Sequence, residues 1–562
     1  MTQWPILFPY IYGDILVNFS LKFIEIFTLV FSLISDFFID DYWKPKKFEP
    51  VKKTIKKKEI NEESSVRISV DFNEELTKIS PYIFGNNIGH WLNGKKILEH
   101  PNYINQLKDI GLSVLRYPGG NASNDFFWDS SSLEDCPDGT PDTIFKSDFK
   151  KFTTPKFGLK KNGYTPDQFY ETLLRTGSTG SICINYSLAL YNKIEDENMR
   201  LEIASDYAAE WVREANIKRK LNIKFWEIGN ENWGPWQAGY NVKGRGIISP
   251  KKYGEHCRVF INKMKAVDPT IKIGVVGYQK PKSNKYVTKN WNKEVIPEII
   301  DVADFYILHD YYTKYGAIID AEEMLASVDT TYSHIKVVND AIIEFTDKEK
   351  NFLPIALTEF NTRSNATISK QDGATNVSHA SGLFFAHVLG EIIRQGYGMA
   401  MMWDVHNGYH DGKDHGMFAS KKETDVDWLT PHPSFYHYFF YNKIFGDTYF
   451  ESKSSNSKIR LHTSTFSSGE VGMVLINTSN VQEIVEIDLK NIKTGDKFYY
   501  YEITSEDPNS RKIKINDFET DKNAGGPTNY FRLPAFEQTK NSSSIKLKLN
   551  SFTAIYVAIS KS

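Results

Sequence analysis

Residues 224–236, KFWEIGNENWGPW, decide how the chain is read. A mostly apolar run, Phe225 to Ile228, breaks at Gly229 into Asn230 and Glu231 and then into Trp233 and Trp236. That is the profile of a buried strand ending in polar residues. Working outward, short apolar runs of this kind recur at Tyr82–Gly85, Ser113–Tyr117, Ser181–Asn185, Ile223–Ile228, Ile271–Val276, Phe305–Leu308, Ile355–Thr358 and Met399–Trp403. The intervals hold helical patterns such as Asn198–Asn216 and Tyr253–Val267, the second closing at the DPTIK before the next strand. Eight strands alternating with helices predict an α/β fold, a (β/α)8 TIM barrel over residues 79–447.

From about Tyr449 the texture changes to alternating strands broken by turns: KIRLHTSTF, EVGMVLINTS, EIVEIDL, KFYYYEIT, SIKLKLN and TAIYVAI. Residues 448–562 therefore read as a C-terminal antiparallel β-sandwich. The strand VRISVDF, within residues 64–78, precedes the barrel and is expected to join that sandwich.

Residues 1–63 combine an apolar segment and a basic linker. Phe19–Ile39 carries Lys22, Glu25 and Asp36, and its uncharged run from Ile26 to Ser35 is too short to cross a bilayer. It reads as a signal core or anchor, as an amphipathic helix packed on the protein or a membrane, or as a leader without function. The basic flank Lys44–Lys58 reads as a solvated linker, and by the positive-inside rule it would keep the downstream side cytoplasmic. Secretion or membrane association is favoured slightly over a cytoplasmic location.

The 562 residues include 68 basic and 70 acidic side chains, a formal charge of −2, which lacks the footprint of a dedicated nucleic-acid binder and suits a neutral substrate. Cys136, Cys183 and Cys257 share no metal-ligand spacing and allow at most one disulfide. The aromatic load is high, with 37 Phe, 31 Tyr and 11 Trp.

In such a barrel the reactive groups sit where strands end. Strand four ends in Asn230 and Glu231, and strand seven, in PIALTEFNTRS, carries Glu359. Paired carboxylates on two strand ends are what glycoside hydrolysis requires: one protonates the leaving oxygen while the other attacks or activates water. Glu227, in the same motif, is expected to be an ion-pair member below the reactive layer. Trp91, Trp128, Trp233, Trp236, Trp403 and Tyr311 are placed around the cleft mouth, where flat rings stack on apolar sugar faces.

WEIGNE, a later TEF, LRYPGGN on strand two and LHDYY on strand six resemble the retaining glycoside hydrolases of clan A. Within the clan the nearest likeness is to the α-L-arabinofuranosidases of family 51, over about Ile79 to Phe445. The resemblance implies a glycosidase with Glu231 as acid/base and Glu359 as nucleophile. It further implies Asn230 on the sugar 2-hydroxyl, Arg116 beside Glu359 keeping it ionised, and His309 and Tyr311 orienting the nucleophile or touching sugar. Glu231, next to Trp233, is expected to have the raised pKa. Asn185 is a sequon in form, but at a strand end it reads as a substrate contact, with Trp403, Trp233 and Trp236 as further substrate-binding residues; Asn121 in GGNAS is a second such sequon. An endo-acting β-glycanase or β-xylosidase of the same clan, and a non-catalytic carbohydrate-binding barrel, are the alternatives.

The strand-eight segment WDVHNGYHDGKDHGMF gathers His406, His410 and His415 with Asp404, Asp411 and Asp414. A metal is conceivable there, but a glycine-broken loop has no helical ligand spacing, so no metal or cofactor is expected. Asp129–Tyr164, after strand two, reads as an ordered excursion. The partner expected is a carbohydrate, with no nucleic acid and an open oligomeric state.

Overall fold

The computed structural model describes Phe38 and residues 43–280, 285–314, 317–363, 373–407, 415–423, 426–520, 522 and 524–562. The apolar N-terminal segment, within residues 1–42, lies outside these residues, apart from Phe38. Among the described residues no helix is long and apolar enough to cross a membrane.

Eight parallel strands close into a barrel in sequence order: Gly85–Asn87, Val114–Tyr117, Thr179–Ile184, Phe225–Ile228, Lys272–Val276, Phe305–Tyr311, Ile355–Asn361 and Met399–Met402. Seven of them overlap their predicted runs closely. Strand one begins where the predicted run stops, because Pro81 opens a 3-10 helix, Pro81–Ile83, whose first turn is capped by the Ser80 hydroxyl. The helices Glu197–Val212 and Pro250–Val267 fill two of the predicted helical intervals.

The barrel interior is layered. At the strand starts an apolar floor forms from Val114, Phe225, Phe305, Met399 and Met401, with Tyr82 and Phe38 packed into it. Above it lie polar side chains with no solvent exposure, among them Asn87, Arg116, Ser181, Glu227 and Thr358. Between strands six and seven the register shifts after Leu308, which sets His309 opposite Glu359. Such irregularities re-aim side chains beside functional sites.

The C-terminal strands curl around a second apolar core. Val66–Lys78 pairs antiparallel with Thr448–Ser454 and parallel with Glu483–Lys490. Thr54–Lys56, read as linker from its charge, forms a short parallel edge strand against Ala535–Thr539. The sheet is thus mainly antiparallel with two parallel pairings. Helix His379–Arg394 packs against both the sheet and the barrel, and at this junction His387 Nδ1 lies 3.4 Å from His462 Nε2 while Arg394 pairs with Glu391 at 2.8 Å.

Candidate active site

Strands two, four, six and seven deliver their polar ends to one place. Arg116 is fully buried and spreads its guanidinium over four acceptors. Its Nε donates to Glu227 Oε2 at 2.8 Å, Nη1 to Asn87 Oδ1 at 3.0 Å and to Glu359 Oε2 at 3.3 Å, and Nη2 to Asn230 Oδ1 at 2.8 Å. Glu227 also accepts from Ser181 Oγ at 2.8 Å and Thr358 Oγ1 at 3.3 Å. It is therefore a satisfied ion-pair member beneath the site, since a buried charge persists only when paired and hydrogen-bonded.

Above this layer Glu231 and Glu359 bring carboxylate oxygens within 4.8 Å of one another. His309 Nδ1 stands between them, 3.2 Å from Glu231 Oε1 and 3.6 Å from Glu359 Oε2, while its Nε2 meets Thr358 Oγ1 at 3.1 Å. The other oxygen of Glu231 accepts from Trp236 Nε1 at 3.0 Å and Gln237 Nε2 at 3.3 Å. The other oxygen of Glu359 accepts from the Tyr311 hydroxyl at 2.5 Å. Glu231 follows the turn at Gly229 and has a φ of 44°. That left-handed backbone costs a non-glycine residue about 1–2 kcal/mol and clusters at functional sites.

Burial pushes both carboxyls up, but they end on opposite sides of the ordinary value. At Glu231 hydrogen bonding and charge from His309, with the Trp236 N–H, outweigh burial and hold the pKa down. At Glu359 burial and the charge of Glu231 prevail over His309 and Arg116 and hold it up. This reverses the order expected from sequence. The reason is geometric: the Trp233 indole points away, donating to Gly277 O at 3.0 Å, so it is Trp236 that meets Glu231, as a donor.

An open cavity of about 1080 Å³ starts at Trp236 and Trp403 and runs past Trp91, Asn121 and His90 to the excursion after strand two. The Trp91 and Trp403 rings sit 5.8 Å apart, tilted by 47°.

No family model matches the chain. Among curated proteins, the probable α-L-arabinofuranosidase C of Aspergillus clavatus is 22% identical over 286 residues, 45% of this chain and 50% of the relative. The intracellular exo-α-(1→5)-L-arabinofuranosidase of Bifidobacterium longum is 26% identical over 261 residues, 45% of this chain and 42% of the relative. The chain thus spans about half the length of the curated relatives it matches. Among solved structures, the α-L-arabinofuranosidase of Thermotoga maritima in complex with arabinose superposes with a TM-score of 0.64 at 19% identity, covering 88% of this chain and 99% of that one. The family 51 enzyme of Thermotoga petrophila gives 0.64 at 19% identity over 88% of this chain and all of that one. A family 44 xyloglucanase of Paenibacillus polymyxa gives 0.58 at 15% identity, covering 88% and 99%. The chain is similar to the family 51 α-L-arabinofuranosidases.

Of the residues that this likeness and the strand-end reading singled out, the structure gathers Glu231, Glu359, Asn230, Arg116, His309 and Tyr311 in one site, with Trp236 and Trp403 at its edge. Three tryptophan and asparagine placements need correction. Asn185 is buried away from the cavity, its Nδ2 donating to the Tyr191 hydroxyl at 2.8 Å and its Oδ1 accepting from Leu188 N at 3.2 Å, so it holds the loop after strand three. Trp233 is a buried packing residue. Trp128 stacks on Trp211 at 5.8 Å and does not line the cavity. Asn124, Gln237, Asn87 and Thr358 were missed; each belongs to the hydrogen-bond network around the carboxylates. Asn87 and Thr358 show only as polar residues in or at the end of a strand, whereas Asn124 and Gln237 lie well inside the loops after strands two and four and carry no local signal.

Among the described residues two groups of side chains offer three metal-ligand atoms within 4.8 Å of one another: Glu231, His309 and Glu359, and His387, Glu391 and His462 where helix His379–Arg394 meets the C-terminal sheet. In the first group Arg116, Tyr311, Trp236 and Gln237 already donate to the carboxylates. The strand-eight cluster assembles no such group among the described residues. His406 Nε2 accepts from Trp428 Nε1 at 2.9 Å, Asp404 Oδ2 accepts from Asn407 at 3.0 Å, and His410, Asp411 and Asp414 lie outside the described residues.

Proposed function

We propose that this protein is a retaining glycoside hydrolase acting by double displacement, with an α-L-arabinofuranoside as the unit it releases. The observation that carries the reading is the approach of the Glu231 and Glu359 oxygens to within 4.8 Å at the ends of strands four and seven. Retaining carboxyl pairs stand about 5–5.5 Å apart, whereas inverting pairs leave about 6.5–9.5 Å for a water.

Glu359 attacks the anomeric carbon while Glu231 gives its proton to the departing oxygen, leaving a glycosyl ester on Glu359. Glu231 then takes a proton from water, which displaces Glu359 and returns the sugar with its configuration retained. The first step needs Glu359 ionised and Glu231 protonated. The free site has the opposite order, so the proton of the pair passes from Glu359 to Glu231 as sugar binds, and Arg116 and Tyr311, which both donate to Glu359, then stabilise its anion. Asn230 suits the 2-hydroxyl: Arg116 fixes its Oδ1, and its Nδ2 is buried without a partner among the described residues. A donor left unpaired in the free protein pairs with substrate at no loss of an existing bond.

The test is the hydrolysis of an aryl α-L-arabinofuranoside followed by NMR. Release of the sugar with retained configuration, lost in Glu359→Gln, is expected; an inverted product or no release overturns the reading. A second reading, an endo-acting β-glycanase, draws on the cavity, whose volume of about 1080 Å³ exceeds what one pentose fills. Xylan, xyloglucan and cellulose assayed in parallel separate the two.

A further inference from the structure

We propose that the cavity beside the carboxylates carries an anion subsite, so that the glycan bound there bears acidic groups, carboxylate or sulfate, along the chain next to the scissile sugar. The proposal deepens the glycosidase reading and rests on it only in taking the ligand to be a sugar chain.

Charge balance is the first observation. The whole chain is nearly neutral at −2, yet residues 145–164 hold six lysines against one acidic residue, Asp148. The fold turns this segment over the cleft. Lys146, Lys156 and Lys160 line the same cavity as Trp236 and Trp403, whereas the acid of the segment lies off it, within 4.0 Å of Lys151. Among the described residues none of the three lining lysines forms an ion pair with a carboxylate; Lys156 Nζ donates only to neutral oxygens, Thr153 Oγ1 at 3.0 Å and Thr154 O at 2.8 Å.

The second observation is what the lysines do to their neighbours. His90, on the cavity wall, is held down to about 4, by burial first and then by Lys156 and Lys160. The one carboxylate in the lining, Asp125, is 3% exposed and is pushed up to about 6 by burial, so at mildly acidic pH it offsets little of the lysine charge. Positive charge focused in a cleft with low-dielectric walls raises the local concentration of anions. Lysine is a compact point charge on a flexible stem, suited to carboxylates or sulfates whose spacing varies along a polymer. The exposed faces of Trp91 and Trp236 give sugar rings a platform between those charges and the reacting centre.

The experiment is titration calorimetry on the full-length chain with Glu359→Gln, using a uronate-bearing oligosaccharide, its carboxyl-reduced neutral counterpart, a sulfated oligosaccharide of equal length, and single-stranded DNA. The uronate or sulfated sugar should bind about tenfold more tightly than the neutral one at low salt, as expected for three weak ion pairs. The difference should collapse at high salt and in the background Lys146→Gln, Lys156→Gln, Lys160→Gln. It should survive in Lys150→Gln, Lys151→Gln, Lys161→Gln, which removes equal charge from the same segment at positions off the cavity lining. Which of the two anions binds more tightly identifies the acidic group. Equal binding of acidic and neutral sugars, a preference that persists without the three lysines, or tighter binding of DNA than of any sugar overturns the proposal. Hydrolysis of a neutral aryl arabinofuranoside by the unmutated protein reports on the glycosidase reading alone, so the two fail separately.

Discussion

Arg116 Nη1 donates to Glu359 Oε2 across 3.3 Å, from a guanidinium with no solvent exposure. The same group holds Glu227, Asn87 and Asn230, so it ties the proposed nucleophile to the floor of the site and to the side chain proposed to meet the 2-hydroxyl. Lysine keeps the charge but not the planar fork. Arg116→Lys should destabilise the protein by about 3–5 kcal/mol in urea unfolding, because one ammonium cannot reach both Glu227 and Glu359 and leaves a buried carboxylate unpaired. Its kcat should fall about a hundredfold through misplacement of Glu359. A variant with unchanged stability and kcat would remove Arg116 from the site's architecture.

The two carboxylates should differ in kind when replaced. Glu359→Gln removes the nucleophile, and turnover should fall by about four orders of magnitude or more whatever the leaving group. Glu231→Gln removes the proton donor, which an activated aryl leaving group does not need. Loss of about 10²–10⁴-fold is expected on an unactivated arabinoside and far less for the first step on the aryl substrate, visible as a burst of aryl release. Equal losses on both substrates in Glu231→Gln would assign it another role.

The carboxyl pair also fixes a pH dependence. Burial and the charge of Glu231 raise Glu359, so the pair keeps one proton to higher pH than an ordinary carboxyl would. Activity rises with pH as the doubly protonated pair loses its first proton and falls as it loses the second. In Glu231→Gln the repelling charge is gone and the pKa of Glu359 drops. The aryl-substrate profile of kcat/KM should lose its alkaline limb and keep its acid limb about where it was, since that limb is set with Glu231 uncharged in the unmutated protein too. An alkaline limb that stays in place would put the titrating proton elsewhere.

The barrel was legible because parallel strands buried on both faces are nearly continuous apolar runs, and the two glutamates because polar residues closing such runs are conspicuous. What stayed hidden depends on turns. The strand-four turn carries Glu231 at positive φ, and it decides that Trp236 meets the carboxylate while Trp233, three residues earlier, is buried. Strand one was displaced because Ser80 and Pro81 open a helical turn within an apolar run. The order of the carboxyl pKa values followed from which side chains donate to each, a property of the assembled site. The lysines of residues 145–164 are plain in the sequence, but nothing local says that the segment folds over the cleft.

Asn185 gives a test of the corrected assignment. With its amide spent on Tyr191 and Leu188, Asn185→Ala leaves buried groups unpaired and should cost about 1–3 kcal/mol of stability. KM should be unchanged. A raised KM with normal stability would return Asn185 to the substrate.

Phe38 tests whether the apolar N-terminal segment contributes to the barrel. Its ring is 4% exposed and lies 6.0 Å from Phe225 and 5.8 Å from Phe305, at the strand starts. It also packs closely on Gly398, where an added Cβ would come within 1.6 Å of the ring. Phe38→Ala should therefore cost about 3–5 kcal/mol, and Gly398→Ala should be destabilising alone but much less so in the Phe38→Ala background, since the clash has been removed. Additive effects in that cycle would separate the two residues. The same packing bears on processing: cleavage after residue 38 would open the barrel floor, so mass spectrometry of the natural protein should find an N-terminus upstream of Phe38. A natural chain that starts beyond it and unfolds no earlier than the full one would leave closure of the floor to Tyr82 and Met399.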